Sequence, residues 1–563
     1  MTTITPELER RLIEDLYSVY GAEVALGSLH IIRRLIEKHP IPPRDNPLDE
    51  RSVLLIAYGD HVHAEGAAPL TALDRFCHEY LRDLISGVHI LPFYPFTSDD
   101  GFSVVDYLAV NPALGGWADI ARLGADFRLM FDLVLNHISS ASAWFQAFLR
   151  DEAPYRDYFI TPDSTSDLAM VVRPRTHPLL TSFDTAAGRR SVWTTFSADQ
   201  IDLNYDNPAV LLDMLDILLT YVERGADFVR LDAIAYLWKT LGTTCIHLPQ
   251  THAVVRVMRA VLDAAAPWVK LITETNVPHQ DNITYFGDGA NEASLVYQFA
   301  LPPLTLHALQ TGRAGTLSAW ASTLTTPSAQ TTFFNFTASH DGIGVQPARG
   351  LLAGDEIEAV IERVRAHGGM VSYKTNSDGS LSPYELNCTY FDALSAPGDP
   401  HADLRFIASQ AIMLALAGVP GIYLPSLFGA RNWQAGVRVT GHARTINRQK
   451  FDLSLLMERL ASPRSQAGRV FRRYSDLLRL RRAHAAFHPN AAQRVLDVHP
   501  SVFAVERQSV DGAERVLALH NVSSHEVTIT LPDGNWLDLQ RRSRHSGGFA
   551  LAPYQVAWLC ALE

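Results

Sequence analysis

The sequence predicts an α/β fold in which eight parallel strands close into a (β/α)8 TIM barrel, followed by a C-terminal antiparallel β domain. Three observations predict it. Short apolar runs recur eight times and alternate with longer helical stretches. Two of the intervals between runs are far too long for one helix, so the barrel carries insertions after strands three and seven. Past residue 490 the pattern changes to closely spaced β-type segments divided by turns. A doubly wound open sheet is the alternative that the same alternation allows.

Taken in order, residues 1–48 form an N-terminal extension. Within it, 6–38 read as helical: Leu8, Leu12, Leu16 and Val19 recur at helical spacing, as do Leu29, Ile32, Leu35 and Ile36. HPIPPRDNP (39–47) breaks that pattern. The eight runs are SVLLIAY (52–58), GVHILPF (87–93), RLMFDLVL (128–135), DFVRLDAI (227–234), VKLITET (269–275), SLVYQF (294–299), TTFFNFTAS (331–339) and GIYLPS (421–426). They divide the barrel into parts at 49–138, 201–341 and 401–490. The first insertion spans 139–200 and the second 342–400; long loops on a barrel shape its active face. The C-terminal β domain is 491–563.

Of the 563 residues, 47 % are hydrophobic and 19 % charged, which excludes a mainly disordered chain. A net charge of −12 argues against nucleic acid as a partner. No apolar run approaches the ~20 residues of a membrane span, and the amphipathic N-terminus lacks a signal peptide's apolar core. Four scattered cysteines without a CxxC pair suggest neither a zinc site nor a disulfide framework, so a reducing cytoplasm is the simplest expectation.

Acidic residues cluster at predicted strand ends, where barrel enzymes place their chemistry. Strand three runs out through Asp132, Asn136 and His137, strand four through Arg230 and Asp232, strand five at Glu274, strand seven at His340 and Asp341. Arg230 and Asp232 are two apart and share a strand face. A guanidinium there keeps a carboxylate ionised, which suits a nucleophile. Glu274, on the next strand, suits the proton donor that cleavage of a glycosidic bond requires. Any one of these residues alone is more often a cap, a salt bridge or a satisfied interior group; the joint pattern carries the reading.

DLVLNH (132–137), FVRLDA (228–233), ITET (272–275) and SHD (339–341) resemble, in order, the four signature regions of the α-amylase family, glycoside hydrolase family 13. GVHILPF (87–93) and QIDLN (200–204) resemble its auxiliary regions. PFYPFTSDDGFSVVDY (92–107), VRPRTHPLL (172–180), RLDAIAYLWKTLGTTC (230–245), FALPPLTLHAL (299–309), HDGIGV (340–345) and HARTINR (442–448) are similar to the sucrose-phosphorylase branch. LITETNVPHQDNITYFG (271–287) and the N-terminal extension look more like the glucosylglycerate phosphorylases.

The resemblance implies a retaining double displacement: an α-glucosyl unit passes to Asp232 and then to phosphate, giving α-D-glucose 1-phosphate. By matching motif, Glu274 is the general acid/base and Asp341 the third carboxylate. His137 and His340 face the glucosyl unit, with Phe196 and Tyr236 beside it. Asp99 and Arg444 match the pair closing the blind end of the pocket; the loop is one residue short, so Asp100 stands as the alternative to Asp99. Arg175, preceded by Arg173, matches the acceptor loop and suits a phosphate or an acceptor carboxylate. Tyr384 and Glu385 match a second loop, where the glutamate replaces the glutamine of sucrose phosphorylases. Asn276, His279 and Gln280 are acceptor-side candidates if the acceptor is glycerate. The expected partners are a small sugar substrate and inorganic phosphate, with a homodimer left open. No organic cofactor and no metal are expected, although amylases often hold calcium near the position of Asn136. Alternatives with the same carboxylates are a sucrose, sucrose-6-phosphate or glucosylglycerol phosphorylase and an α-glucosidase or transglucosylase; a sugar-binding relative without activity would not need both a nucleophile and an acid.

Overall fold

The computed structural model describes residues 4–163, 165–376 and 378–562. Eight parallel strands form a closed barrel: β1 (Leu54–Ala57), β2 (Gly87–Ile90), β3 (Arg128–Leu133), β4 (Ala226–Leu231), β5 (Lys270–Thr273), β6 (Leu295–Tyr297), β7 (Thr332–Asn335) and β8 (Val419–Tyr423). Each neighbours the next, and the ring closes where Leu54 of β1 pairs with Gly421 of β8. Every predicted run supplies one strand, so the closed barrel holds against the open sheet. The strands are almost entirely buried, because helices cover the outside and side chains fill the inside.

Close packing shows in single positions. At Gly87 a Cβ would sit 2.6 Å from Leu54 Cδ2 and 2.8 Å from the Arg128 carbonyl oxygen. Only glycine lets β1, β2 and β3 meet there.

The N-terminal segment is two helices rather than one. Helices α1 (Pro6–Tyr20) and α2 (Ala22–Lys38) meet at Gly21, whose φ of 79° breaks the helical run. The buried stripe shifts phase across this joint: Leu16 and Ala25 are nine residues apart, half a turn out of helical register. The pair packs on two barrel helices, α3 (Pro208–Glu223) and α4 (Pro249–Ala265). Both begin with proline at the first turn, where a missing N–H costs nothing.

The chain between β3 and β4 carries a short helix (Ala143–Leu149) and a hairpin (Leu180–Thr185 with Gly188–Trp193). The chain between β7 and β8 carries a helix (Gly354–Ala366) and a second hairpin (Met370–Thr375 with Leu381–Asn387). Beyond helix α5 (Gln466–Arg482) lies an antiparallel six-stranded sheet from Ala492 to Leu562, with a two-stranded sheet beside it. Two buried arginines join it to the barrel. Arg481 donates to the carbonyls of Leu414, Gly418 and Phe487, and Arg507 to those of Ala415, His488 and Ala491. Among the described residues no helix is long and apolar enough to cross a membrane.

Candidate active site

At the C-terminal ends of the barrel strands lies a narrow cleft lined by residues of the strand ends and both insertions. Asp232 and Glu274 stand one step beyond β4 and β5, and the ladder still holds their backbones. The Asp232 N–H donates to the Leu133 carbonyl and the Glu274 N–H to the Leu231 carbonyl, each at 3.2 Å. Asp341 enters from the loop after β7. All three carboxyls line the cleft.

Arg230 lies beneath them, almost fully buried. Its Nη1 is 2.7 Å from Asp232 Oδ1 and also bonds Asp132, while Nη2 is 3.9 Å from Glu274 Oε2. The Phe102 and Tyr297 rings pack on the guanidinium at 5.7 and 5.5 Å. Ala233, next to Asp232, has φ of 52°, a region few non-glycine residues occupy. Its N–H donates to Glu274 Oε2 at 3.0 Å, so the strained residue ties the two carboxyls together.

Burial pushes both Asp232 and Glu274 above the ordinary carboxylate range, since a charged form is costly away from water. Arg230 opposes this, and it is 1.2 Å nearer to Asp232 than to Glu274. Burial lifts Asp232 more strongly than Glu274, and the closer guanidinium is the one feature that favours the charge on Asp232 and the proton on Glu274. At Asp341 burial works upward, but His340, Arg444 and Arg230 outweigh it and hold the carboxyl below its usual range.

His340 stacks on Phe102 (centroids 4.7 Å) with Nε2 3.3 Å from Asp341 Oδ2. Burial pushes its pKa down to about 3, so the ring is neutral. Its Nδ1 is buried with no partner among the described residues, as is Asn276 Oδ1. His137 also lines the cleft, but its Nε2 is engaged by the Phe102 carbonyl at 2.9 Å and Gln200 at 3.2 Å.

Phe196 and Tyr236 meet edge to face at 5.4 Å in the cleft wall. The Arg175 guanidinium lies over the Phe196 ring at 5.7 Å and the Tyr384 ring at 5.2 Å. Its only hydrogen bond among the described residues is to the Pro174 carbonyl, leaving most of its donors available to the cleft. Arg173, by contrast, is tied to the His177 carbonyl of its own loop.

Three expectations change in detail. Asp99 and Arg444 both line the cleft, but at 3.7 Å they form a loose pair. Arg444 sits closer to Asp341 (2.9 Å) and Glu385 (2.7 Å). The tight pair is Arg448 with Asp100 at 2.6 Å, reached because Asp99 and Asp100 both turn through positive φ. Glu385 is buried against Arg444, so its own charge is already met. His279 does not line the cleft. Pro278 starts a short helix there, and the ring faces Trp320 and Phe333, each at 6.2 Å; Gln280 is exposed. Sequence reasoning also passed over Phe102, Gln200 and Arg448. Phe102 and Gln200 stand within recognised motifs, and Arg448 ends the motif that supplied Arg444, so proximity in sequence was the available signal.

The position that holds calcium in amylases is filled by protein. Lys239 Nζ lies 2.6 Å from Asp202 Oδ2 and 2.7 Å from Asn136 Oδ1, fully buried between the barrel and the first insertion. These residues do not fit a calcium ion, because an ammonium already occupies the space between their oxygens.

The family model described as the α-amylase catalytic domain matches residues 78–344. The chain is 48 % identical to glucosylglycerate phosphorylase of Allomeiothermus silvanus over 99 % of this chain and 100 % of that one. It is 32 % identical to sucrose phosphorylase of Agrobacterium vitis over 78 % of this chain and 89 % of that one. The crystal structure of sucrose 6F-phosphate phosphorylase from Thermoanaerobacter thermosaccharolyticum superposes with a TM-score of 0.75 at 26 % identity, covering 88 % of this chain and 98 % of that one.

Proposed function

This chain belongs to the α-amylase family, and from that membership we propose that it is a retaining glycoside phosphorylase acting on glucosylglycerate. The reaction joins glucosylglycerate and phosphate to give α-D-glucose 1-phosphate and D-glycerate. The observation that carries the reading is the shared guanidinium: Arg230 contacts Asp232 at 2.7 Å and Glu274 at 3.9 Å at the floor of one cleft.

Asp232 attacks the anomeric carbon while Glu274 gives its proton to the departing glycerate oxygen. The glucosyl ester on Asp232 is then opened by phosphate, which takes the place of water. Asp341, Arg444 and His340 are placed to grip sugar hydroxyls. Phosphate adds charge beside three carboxylates, and Arg175 is the cation poised to offset it: aromatic rings hold its plane and leave its donors free. The same guanidinium suits the carboxylate of glycerate. Asn276, which lines the cleft, remains an acceptor-side candidate; His279 does not. The preference for glycerate over fructose rests on the whole-length similarity to glucosylglycerate phosphorylases. Four unpaired cysteines fit a reducing cytoplasm.

Synthesis from α-D-glucose 1-phosphate tests the reading. Phosphate release is measured with glycerate, glycerol, fructose and fructose 6-phosphate as acceptors. Glycerate gives the highest kcat/KM. Fructose or its phosphate winning instead would move the chain to the sucrose-type phosphorylases. Degradation of glucosylglycerate at a rate indifferent to phosphate would make it a hydrolase.

A further inference from the structure

Beneath the nucleophile a row of buried polar groups crosses three adjacent strands. His89 of β2, Asp132 of β3 and Arg230 of β4 all point into the barrel. His89 Nε2 is 2.6 Å from Asp132 Oδ2; Asp132 Oδ1 bonds Arg230 Nη1; and the same Nη1 is 2.7 Å from Asp232 Oδ1. His89 and Asp132 have no solvent exposure. The chemistry described above uses Asp232 and Arg230 but assigns nothing to His89.

Two features make this row more than packing. A buried imidazole is costly unless both nitrogens are satisfied, yet His89 Nδ1 has no partner among the described residues. The fold keeps the histidine at that cost for the one contact its Nε2 makes. Second, among the described residues the Asp132 carboxyl has only two side-chain partners, His89 and Arg230. Without the first it is anchored on one oxygen only, free to turn about its own axis. Arg230 would follow it, because Arg230 Nε also lacks a partner among the described residues and cannot fix the guanidinium from the other end.

We propose that His89 is a positioning residue for the glucosyl transfer: through Asp132 it fixes Arg230, and through Arg230 it sets the orientation and charge of Asp232. This rests on the reading of Asp232 as the nucleophile. His89 meets no substrate; it acts by keeping a three-link chain of charge-assisted bonds in one geometry.

The experiment compares His89→Gln, His89→Leu and His89→Asn with the wild-type enzyme. Glutamine carries an amide nitrogen about where Nε2 stood and restores the bond to Asp132. Leucine fills the space without a donor, and asparagine is polar but too short to reach. Each is assayed with phosphate and either glucosylglycerate or α-glucosyl fluoride, whose leaving group needs no proton. If the inference holds, His89→Leu and His89→Asn lose kcat about a hundredfold on both substrates, the scale of a misplacement of ~1 Å, with KM little changed. His89→Gln recovers most of it. Should leucine not fold, asparagine still tests the point. Equal losses in the glutamine and leucine variants, or full kcat in either donor-less variant, would overturn it. A loss confined to glucosylglycerate would place the effect on the acid Glu274 and would equally overturn it. A wild-type enzyme inert with glucosyl fluoride and phosphate would remove the functional reading itself.

Discussion

Glu274 and Asp232 carry the same functional group and do opposite work, and the difference lies in their neighbours. Arg230 touches one and only approaches the other, so one carboxyl keeps its charge and the other its proton. A carboxyl raised by burial is protonated below its shifted pKa and loses its proton as pH rises through it. Activity on glucosylglycerate therefore falls on the alkaline side as Glu274 ionises. Glu274→Gln is expected to lower kcat on glucosylglycerate by about a thousandfold. With α-glucosyl fluoride it forms the glucosyl-enzyme at close to the wild-type rate, and that step shows no alkaline decline in either enzyme. A pH–rate profile on both substrates checks this; an equal loss on the two would mean that Glu274 is not the acid. At this scale the sequence was informative where alternation or a motif fixed a side chain's direction, as for Arg230 and Asp232. It was poor where direction depends on loop geometry. Asp99 keeps its place in the cleft while Asp100 turns to Arg448, both through positive φ angles, and His279 is turned away by a helix that Pro278 starts. Neither event leaves a mark in composition or period.

The barrel strands were legible because each is apolar on both faces, and the helices between them because their stripes are long. Boundaries were less so: the short strands Asn535–Asp538 and Gly548–Leu551 have too few residues for a pattern. Lys239 is an element-scale case. Its role is set by Asn136 at the end of β3 and Asp202 in the strand Gln200–Asp202, more than thirty positions away in sequence, so no local signal announces it. Replacing it with methionine keeps the volume and removes the charge. Asp202 is left buried without its counter-ion, and we expect a loss of roughly 3–5 kcal/mol. Differential scanning calorimetry of Lys239→Met reads this as a lowered first transition. An unchanged thermogram would show that the ammonium is not a structural tie.

Across the whole molecule, several histidines are folded in the neutral state. His340 is pushed by burial to about 3 and His520 to about 4. In the unfolded chain both return to about 6.5. Between those values the unfolded state binds more protons, so stability is full above about pH 6.5 and is lost as pH falls toward 4. The raised carboxyls of Asp232 and Glu274 act in the opposite sense. His520 isolates the effect, because Trp558 Nε1 donates to its Nε2 and Nδ1 bonds the Phe503 carbonyl, leaving no room for a second proton. Urea midpoints at pH 7 and pH 5 should differ in the wild type, and His520→Phe should narrow that difference. A gap equally wide in the variant would clear His520 of the acid sensitivity.

The pairing of Leu54 with Gly421 also bears on how the protein is made. A chain leaving the ribosome exposes the edge of its first stave early, and the segment that covers it arrives only after both insertions have been synthesised. Until then a strip of unpaired backbone beside apolar side chains faces the crowded cell, an invitation to aggregate that grows with every pause in translation. Conditions that slow elongation late in the message should therefore lower soluble yield more than equal slowing near its start.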